Sequence, residues 1–319
     1  MKKLVAQRSV VLALILILAL LGNACIDLSA ISKFADSATE AGQRFPKLAA
    51  DLIASCVRQH VLQDLRDAKF APVELDRIAH PAADSAEMQQ ATARCQNYAD
   101  QQQRLTEANA VLIAYLQTMA DLASDKLTDH DKSLDALGTS FTGANIFNEP
   151  EVNAVKGLAK LLSKATSDFY RRNKLKSAIE QENDDVQKLT AALKRIVIQN
   201  YVTQLDTERD QLRSFYRSSI QEHQKYADAL VKPAGGESGV PQDPLPVIQV
   251  KQLWDRDVNE IDQKIAAANA YAKLLDNVAT AHQKLYESRN KLSSKEAIQI
   301  ASQYSKSIQS LVADFRKAF

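Results

Sequence analysis

Glycine and proline are both scarce in this chain, 8 of each in 319 residues, where average usage is about 7% and 5%. That scarcity argues against turn-rich β-sandwiches, glycine-looped nucleotide folds, collagen-like repeats and low-complexity disorder. Aromatics make up only 6%, with a single Trp, and there are three cysteines. An excess of one charge sign is missing as well. The 40 Lys+Arg face 39 Asp+Glu, a net charge of +1, which gives no electrostatic case for nucleic acid. No HExxH, GxSxG, GxGxxG or Walker-type loop occurs, and no CxxC pair. What is present is a chain 45% hydrophobic and 25% charged, long enough to bury a core.

At the N-terminus Lys2, Lys3 and Arg8 precede an unbroken apolar run of 12 residues from Val10 to Leu21, followed by Gly22-Asn23-Ala24-Cys25. A basic start, a short apolar stretch and small residues are the parts of a secretory signal. A spanning helix needs about 20 apolar residues. The segment Leu21-Gly22-Asn23-Ala24-Cys25 resembles the signal of bacterial lipoproteins, in which the cleaved chain begins at a cysteine that is then lipid-modified. Ala24 fits that pattern, whereas Gly22 stands where Leu is usual and Leu21 lies one place earlier. The resemblance covers residues 1–25 alone. It implies lipidation at Cys25, attachment to a membrane through the lipid, and a body facing the periplasm in the cell envelope. Ile26, rather than Asp, after the cysteine favours the outer membrane. Ordinary cleavage after Ala24 is the alternative. Loss of residues 1–24 would leave 37 basic against 39 acidic residues, with no polybasic patch to assist a membrane contact.

Almost every later stretch repeats its apolar residues with a helical period. Leu28, Ile31, Phe34, Ala38, Phe45, Leu48, Leu52 and Cys56 predict a first helical region to about Asp67, interrupted near Arg44 by Pro46. Asp84 with Glu87 predicts the start of a second helix, striped by Cys95, Tyr98, Leu105, Leu112, Tyr115 and Met119. A short helical piece over 131–137, a loop over 138–147 and a helix opened by Asn148 follow. A long helix is expected from about Asp184 to Leu230. Residues 232–247 form a proline- and glycine-rich connection. The helix after it has the cleanest repeat: Trp254, Val258, Ile261, Ile265, Ala268, Ala272, Leu275, Ala279, His282 and Tyr286 alternate spacings of four and three. Ser293 with Glu296 starts the last helix. The expected fold is all-α, an elongated antiparallel helical bundle with long coiled-coil-like helices. It divides into a signal peptide (1–24), an N-terminal hairpin with connecting helices (25–183) and a long hairpin with a C-terminal helix (184–319), the last two packed as one bundle.

Chemistry-bearing clusters are few. Asp129-His130-Asp131 is the one tight metal-like group, and it reads as a solvated loop and helix cap. Glu180, Glu182, Asp184 and Asp185 read as complementing the positive end of the long helix. His60, His80, His130, His223 and His282 are scattered, and His282 on the heptad seam is expected to be a hydrogen-bonded core residue. Tyr201, Phe215, Tyr216, Tyr226 and Trp254 are expected in the core. If Cys25 carries a lipid, Cys56 and Cys95 remain as an even pair in an oxidising compartment. Each lies 11 residues from the facing end of its helix, so a hairpin brings them level and predicts a disulfide.

These features predict a non-enzymatic envelope lipoprotein, a helical scaffold or protein-binding module with a protein partner. No cofactor, metal or nucleic acid is expected. A pore-forming-like membrane protein is the alternative, but its richest apolar segment, Val111 to Leu116, has six residues against about 20 required. A bundle enzyme is the third reading, without any Glu-x-x-His pair of the di-iron kind.

Overall fold

The computed structural model describes residues 28–66, 85–124, 132–165, 171–231 and 245–318, which are helical with no strand among them. The signal segment, Cys25, the Asp129-His130-Asp131 group and residues 232–244 of the proline-rich connection lie outside the described residues.

The helices are α1 (Ser29–Gly42), α2 (Phe45–Arg66), α3 (Ala86–Arg94), α4 (Asn97–Ala123), α5 (Leu137–Ser140), α6 (Glu149–Ala165), α7 (Arg171–Ile196), α8 (Thr203–Val231), α9 (Leu245–Glu287) and α10 (Lys295–Ala318). A π-helical segment, Val197–Val202, joins α7 to α8, and a 3₁₀ turn, Arg289–Lys291, joins α9 to α10. Pro46 sits in the first turn of α2, where its missing N–H costs nothing, so the break falls just before it as expected. Gly42 ends α1 against α4: a Cβ there would lie 2.0 Å from Ile113 Cδ1, so a larger residue would require the end of that side chain to move. Asn148 and Glu151 cap α6 reciprocally, Glu151 N–H donating to Asn148 Oδ1 (3.0 Å) and Asn148 N–H to Glu151 Oε2 (2.8 Å).

Several expectations need correction. The second helix is capped by Ser85, whose Oγ accepts from Met88 N–H at 3.1 Å, and it breaks at Cys95 and Gln96 before α4 begins. The last helix is capped by Ser294, not Ser293. Within the connection placed at 232–247, residues 245–247 already belong to α9. The long helix begins at Arg171, so Glu180, Glu182, Asp184 and Asp185 lie in its middle and cannot complement its N-terminus. The boundary drawn at 183/184 lies within α7. One contiguous core cluster runs from Leu28 to Phe315 and draws on both proposed halves.

The π segment has a sequence cause. Leu189, Leu193, Val197, Tyr201 and Leu205 follow one another at spacings of four, and all are buried. On an α-helix each such step drifts about 40°, so four steps would carry the stripe about 160° around the axis. A wider π turn absorbs that drift and keeps the stripe pointed inward.

Helix α3 stands apart. Among its residues only Ala91 is buried, and it packs in a small separate cluster with Cys56, Val57, Val61 and Cys95. Nine residues with so little apolar contact are marginal as a helix. The bridge between Cys56 and Cys95, with Cα atoms 6.0 Å apart and a sequence separation of 39, ties α3 to α2. The Arg94–Asp64 ion pair (2.9 Å) adds an exposed link between the same two helices.

Closing a loop of this length is worth about 4 kcal/mol at most in the chain-entropy model. In the Cys56→Ser/Cys95→Ser double variant we expect amide exchange to accelerate first in α3, with the rest of the bundle keeping its protection. Uniform acceleration across all helices would show that the bridge serves the whole core. Denatured, unreduced protein should show no reactive thiol at either position, and two after reduction.

Candidate functional site

The most structured constellation of polar groups follows α9. Val250, Asp257, Lys264, Tyr271, Val278 and Leu285 are spaced by seven and all buried, a stripe beside the seam that includes His282. Because α9 packs on α7, α8 and α10, it is covered on more than one face. Three positions of this stripe, together with His282, carry polar groups into the interior, and each meets a different partner.

At the first level Asp257 accepts a hydrogen bond from the Tyr216 hydroxyl of α8 and a second from Arg256 Nε (2.8 Å). One turn pair further on lies the densest charge cluster. Lys264 Nζ contacts Asp51 Oδ1 at 3.1 Å and Glu260 Oε1 at 2.7 Å. Asp51 also accepts from Arg58 (3.1 and 3.2 Å) and from the Tyr201 hydroxyl (2.7 Å). Arg58 reaches past it to Glu208 with Nε–Oε1 at 2.5 Å and Nη2–Oε2 at 3.1 Å, and Ser55 Oγ donates to Glu208 Oε2 at 2.6 Å. Two buried carboxylates on α2 and α8 are thus balanced by two cations on α2 and α9, with Glu260 at the rim.

Geometry and charge agree in this cluster. Burial alone would push the Arg58 guanidinium toward losing its proton, but Glu208 and Asp51 outweigh it and hold the pKa above its ordinary value. Tyr201 is raised, first by burial and then by the Asp51 charge, so it stays a donor. Two amide side chains clasp the same helices: Gln204 Nε2 donates to Leu52 O (2.8 Å) and Gln59 Nε2 to Gln204 O (2.9 Å). Tyr201 and Glu208 are seven residues apart, two helical turns, and so share one inward face.

At the third level the Tyr271 hydroxyl donates to Asn109 Oδ1 (2.6 Å), while Asn109 Nδ2 donates to Gly42 O (3.1 Å). Phe45 stacks on Tyr271 with ring centres 4.6 Å apart. At the fourth, His282 lies between Tyr115 of α4 and Asn183 of α7. Asn183 Nδ2 donates to Gln283 Oε1 (2.7 Å), which leaves its Oδ1 to accept from His282 Nδ1–H (2.9 Å). Nε2 then accepts from the Tyr115 hydroxyl (2.6 Å). Burial lowers the His282 pKa to about 3, and burial followed by the Glu182 charge raises that of Tyr115. Both ring nitrogens are occupied, so the imidazole has no free lone pair for a metal or a substrate.

The sequence-predicted residues sort cleanly. Cys56 and Cys95 are brought together, with His60 beside them: their ligand atoms all lie within 4.8 Å of one another. His282, Tyr201, Phe215 and Tyr216 are core residues, as expected. Trp254 is half-buried and packs against the core. Asp51, Arg58, Asn109, Glu208, Asp257 and Lys264 were not singled out from sequence, because charged residues on amphipathic helices read as solvated. The seven-residue recurrence of Asp257, Lys264 and Tyr271 within an otherwise apolar stripe is the signal that could have found three of the layers. An open groove of about 540 Å³ beside the π segment is lined by Lys194, Arg195 and Asp276 among others. Its cations are already engaged, Lys194 with Asp276 and Arg195 with Glu151, each at 2.8 Å.

Removing one partner from the charge cluster leaves a buried charge uncompensated, which costs about 3–5 kcal/mol. Glu208→Gln and Lys264→Met should each lower unfolding free energy by that order in urea titrations, and the double variant should cost less than their sum. The His282 ring stays neutral in the fold down to about pH 3, whereas its ordinary pKa is 6.5. The unfolded chain therefore binds more protons in that window. Stability should fall as pH drops from 6.5 toward 3, by about 1.4 kcal/mol per unit at most from this residue. A His282→Gln variant should lose that component of the slope when unfolding is compared at pH 7 and pH 4.5.

Comparison of the chain with protein-family models, with curated proteins and with solved structures finds no match.

Proposed function

We propose that this chain is a cell-envelope lipoprotein tethered through Cys25, whose helical body acts without catalysis as a scaffold or protein-binding module. The observation that carries the reading is the Cys56–Cys95 bridge. It pairs two of three cysteines and leaves Cys25 over, at the end of a segment built like a secretory signal. A disulfide that holds a marginal helix is at home in an oxidising compartment, and a cysteine left over in an exported protein needs a use.

The body fits a mechanical role. The interior polar groups beside α9 pair with one another across α2, α4, α7, α8 and α9, which fixes the helices relative to each other. A 43-residue helix such as α9 extends about 65 Å, enough to separate two binding partners. No helix among the described residues is long and apolar enough to cross a membrane, so the lipid is the attachment this reading requires. One acyl chain binds only marginally, and stable anchoring takes more than one.

Mass spectrometry of the mature N-terminus should find a lipid-modified Cys25, with the protein in the membrane fraction and the outer membrane favoured. Cys25→Ser should release a folded body into the soluble fraction. An unmodified Cys25, or a mature chain still beginning at Met1, would overturn the tether. The non-catalytic part is tested with Tyr115→Phe and His282→Gln. If these variants keep their fold they should rescue a deletion strain fully, and loss of rescue at unchanged stability would argue for chemistry.

A further inference from the structure

The satellite cluster around α3 holds a group of side chains that a purely structural bridge does not use. Cys56 and His60 are four residues apart on α2, so both side chains project from one face of that helix. Cys95 comes from the break between α3 and α4, on the opposite side of the same contact. The two sulfurs and a ring nitrogen of His60 all lie within 4.8 Å of one another. Both cysteines are buried and His60 is half-buried, so the group borders solvent on its imidazole side.

We propose that, with the disulfide reduced, Cys56, Cys95 and His60 form a binding site for one thiolate-preferring divalent ion, of which zinc is the fitting case. Two cysteine sulfurs and an imidazole are the ligand set of tetrahedral zinc, with bonds of about 2.3 Å to sulfur and about 2.0–2.1 Å to nitrogen. Around such an ion neighbouring ligand atoms stand about 3.3–3.8 Å apart, as tetrahedral geometry requires of those bond lengths. Shifts of about an ångström within this group reach that arrangement. The fourth position faces the open side and is left to water or to a donor from a bound molecule.

The bridge and the ion exclude each other, because they need the same two sulfurs. A dithiol reductant breaks the S–S bond: two electrons and two protons pass to the sulfurs, and the dithiol leaves as its own disulfide. Zinc then displaces the two thiol protons and binds two thiolates and the neutral imidazole. The ligands remain near one another in the reduced chain because the Arg94–Asp64 ion pair and the contacts of Ala91 with Val57 and Val61 do not involve sulfur. Since α3 is otherwise weakly held, the ion would serve as a second clip for the same hairpin, closing the same loop that the disulfide closes. The site is independent of lipidation at Cys25, so the two ideas fail separately.

The test uses the full chain carrying Cys25→Ser, which removes the third thiol. Cobalt(II) is added to the reduced protein as a spectroscopic probe, then displaced with zinc. The expected result is sulfur-to-cobalt charge-transfer absorption with intense tetrahedral ligand-field bands, saturating at one ion per chain and abolished by zinc. The oxidised protein should show neither. His60→Ala should weaken cobalt binding at least about tenfold, since losing even an outer-shell partner of a metal costs that much. His60→Gln is the reference if the alanine variant loses helicity. Amide exchange in α3 should be fast in the reduced apo-protein and slow again with zinc. Absence of cobalt–thiolate bands in reduced, helical protein would overturn the proposal. So would bands whose affinity does not change in either His60 variant, or zinc binding that leaves exchange in α3 unaltered.

Discussion

A polar group carried into the interior on a helix covered from several sides must find its partner on another helix. That constraint sets the register of this bundle along α9. Apolar contacts alone tolerate sliding by a turn, because alanine and leucine pack acceptably against many neighbours. Lys264 has no such freedom: a one-turn slip would withdraw it from Asp51 and leave only Glu260, which travels on the same helix, to balance it. Tyr271 with Asn109, His282 with Tyr115 and Asn183, and Asp257 with Tyr216 repeat the requirement at other heights. Each layer engages a different helix or pair of helices, so together they index α2, α4, α7 and α8 against one reference.

The charge cluster is the costly layer of the four. Replacing a buried ion group of this kind by apolar residues is often neutral or stabilising, so its presence is not explained by stability alone. Its members do join three helices and a π segment at one point. Asp51 alone accepts from Arg58, Tyr201 and Lys264, which belong to α2, the π segment and α9. Register specification is the role that this geometry fits. The π segment is part of the same device, since it contains Tyr201 and compensates the drift of the period-four stripe to which that residue belongs.

Stability is unevenly distributed as a result. The main core is continuous and its polar groups are interlocked, whereas α3 rests on one buried alanine, one exposed ion pair and a covalent bond. Local opening in such a fold begins where few apolar contacts hold the chain. A bridge placed there controls one helix rather than the whole bundle. That is why the chemical state of Cys56 and Cys95 can matter to a surface of the molecule while leaving its body unchanged.

Much of this fold was legible in the chain itself. Apolar residues at spacings of three and four gave the helices, Pro46 the first break, and the Asn148–Glu151 pair a cap, because these depend on local sterics and neighbouring hydrogen bonds. The pairing of Cys56 with Cys95 followed from counting cysteines and measuring offsets from helix ends. Helix starts slipped by one residue at Ser85 and Ser294, where adjacent polar residues offered equivalent caps. What no local rule could supply was which charged residues are buried. Asp51, Glu208 and Lys264 look like any solvated positions on their own helices, since much of the energy that permits their burial comes from partners 150 to 213 residues away in sequence. Only the packing of several helices at once creates those partners, and so only the tertiary structure decides that these charges lie inside.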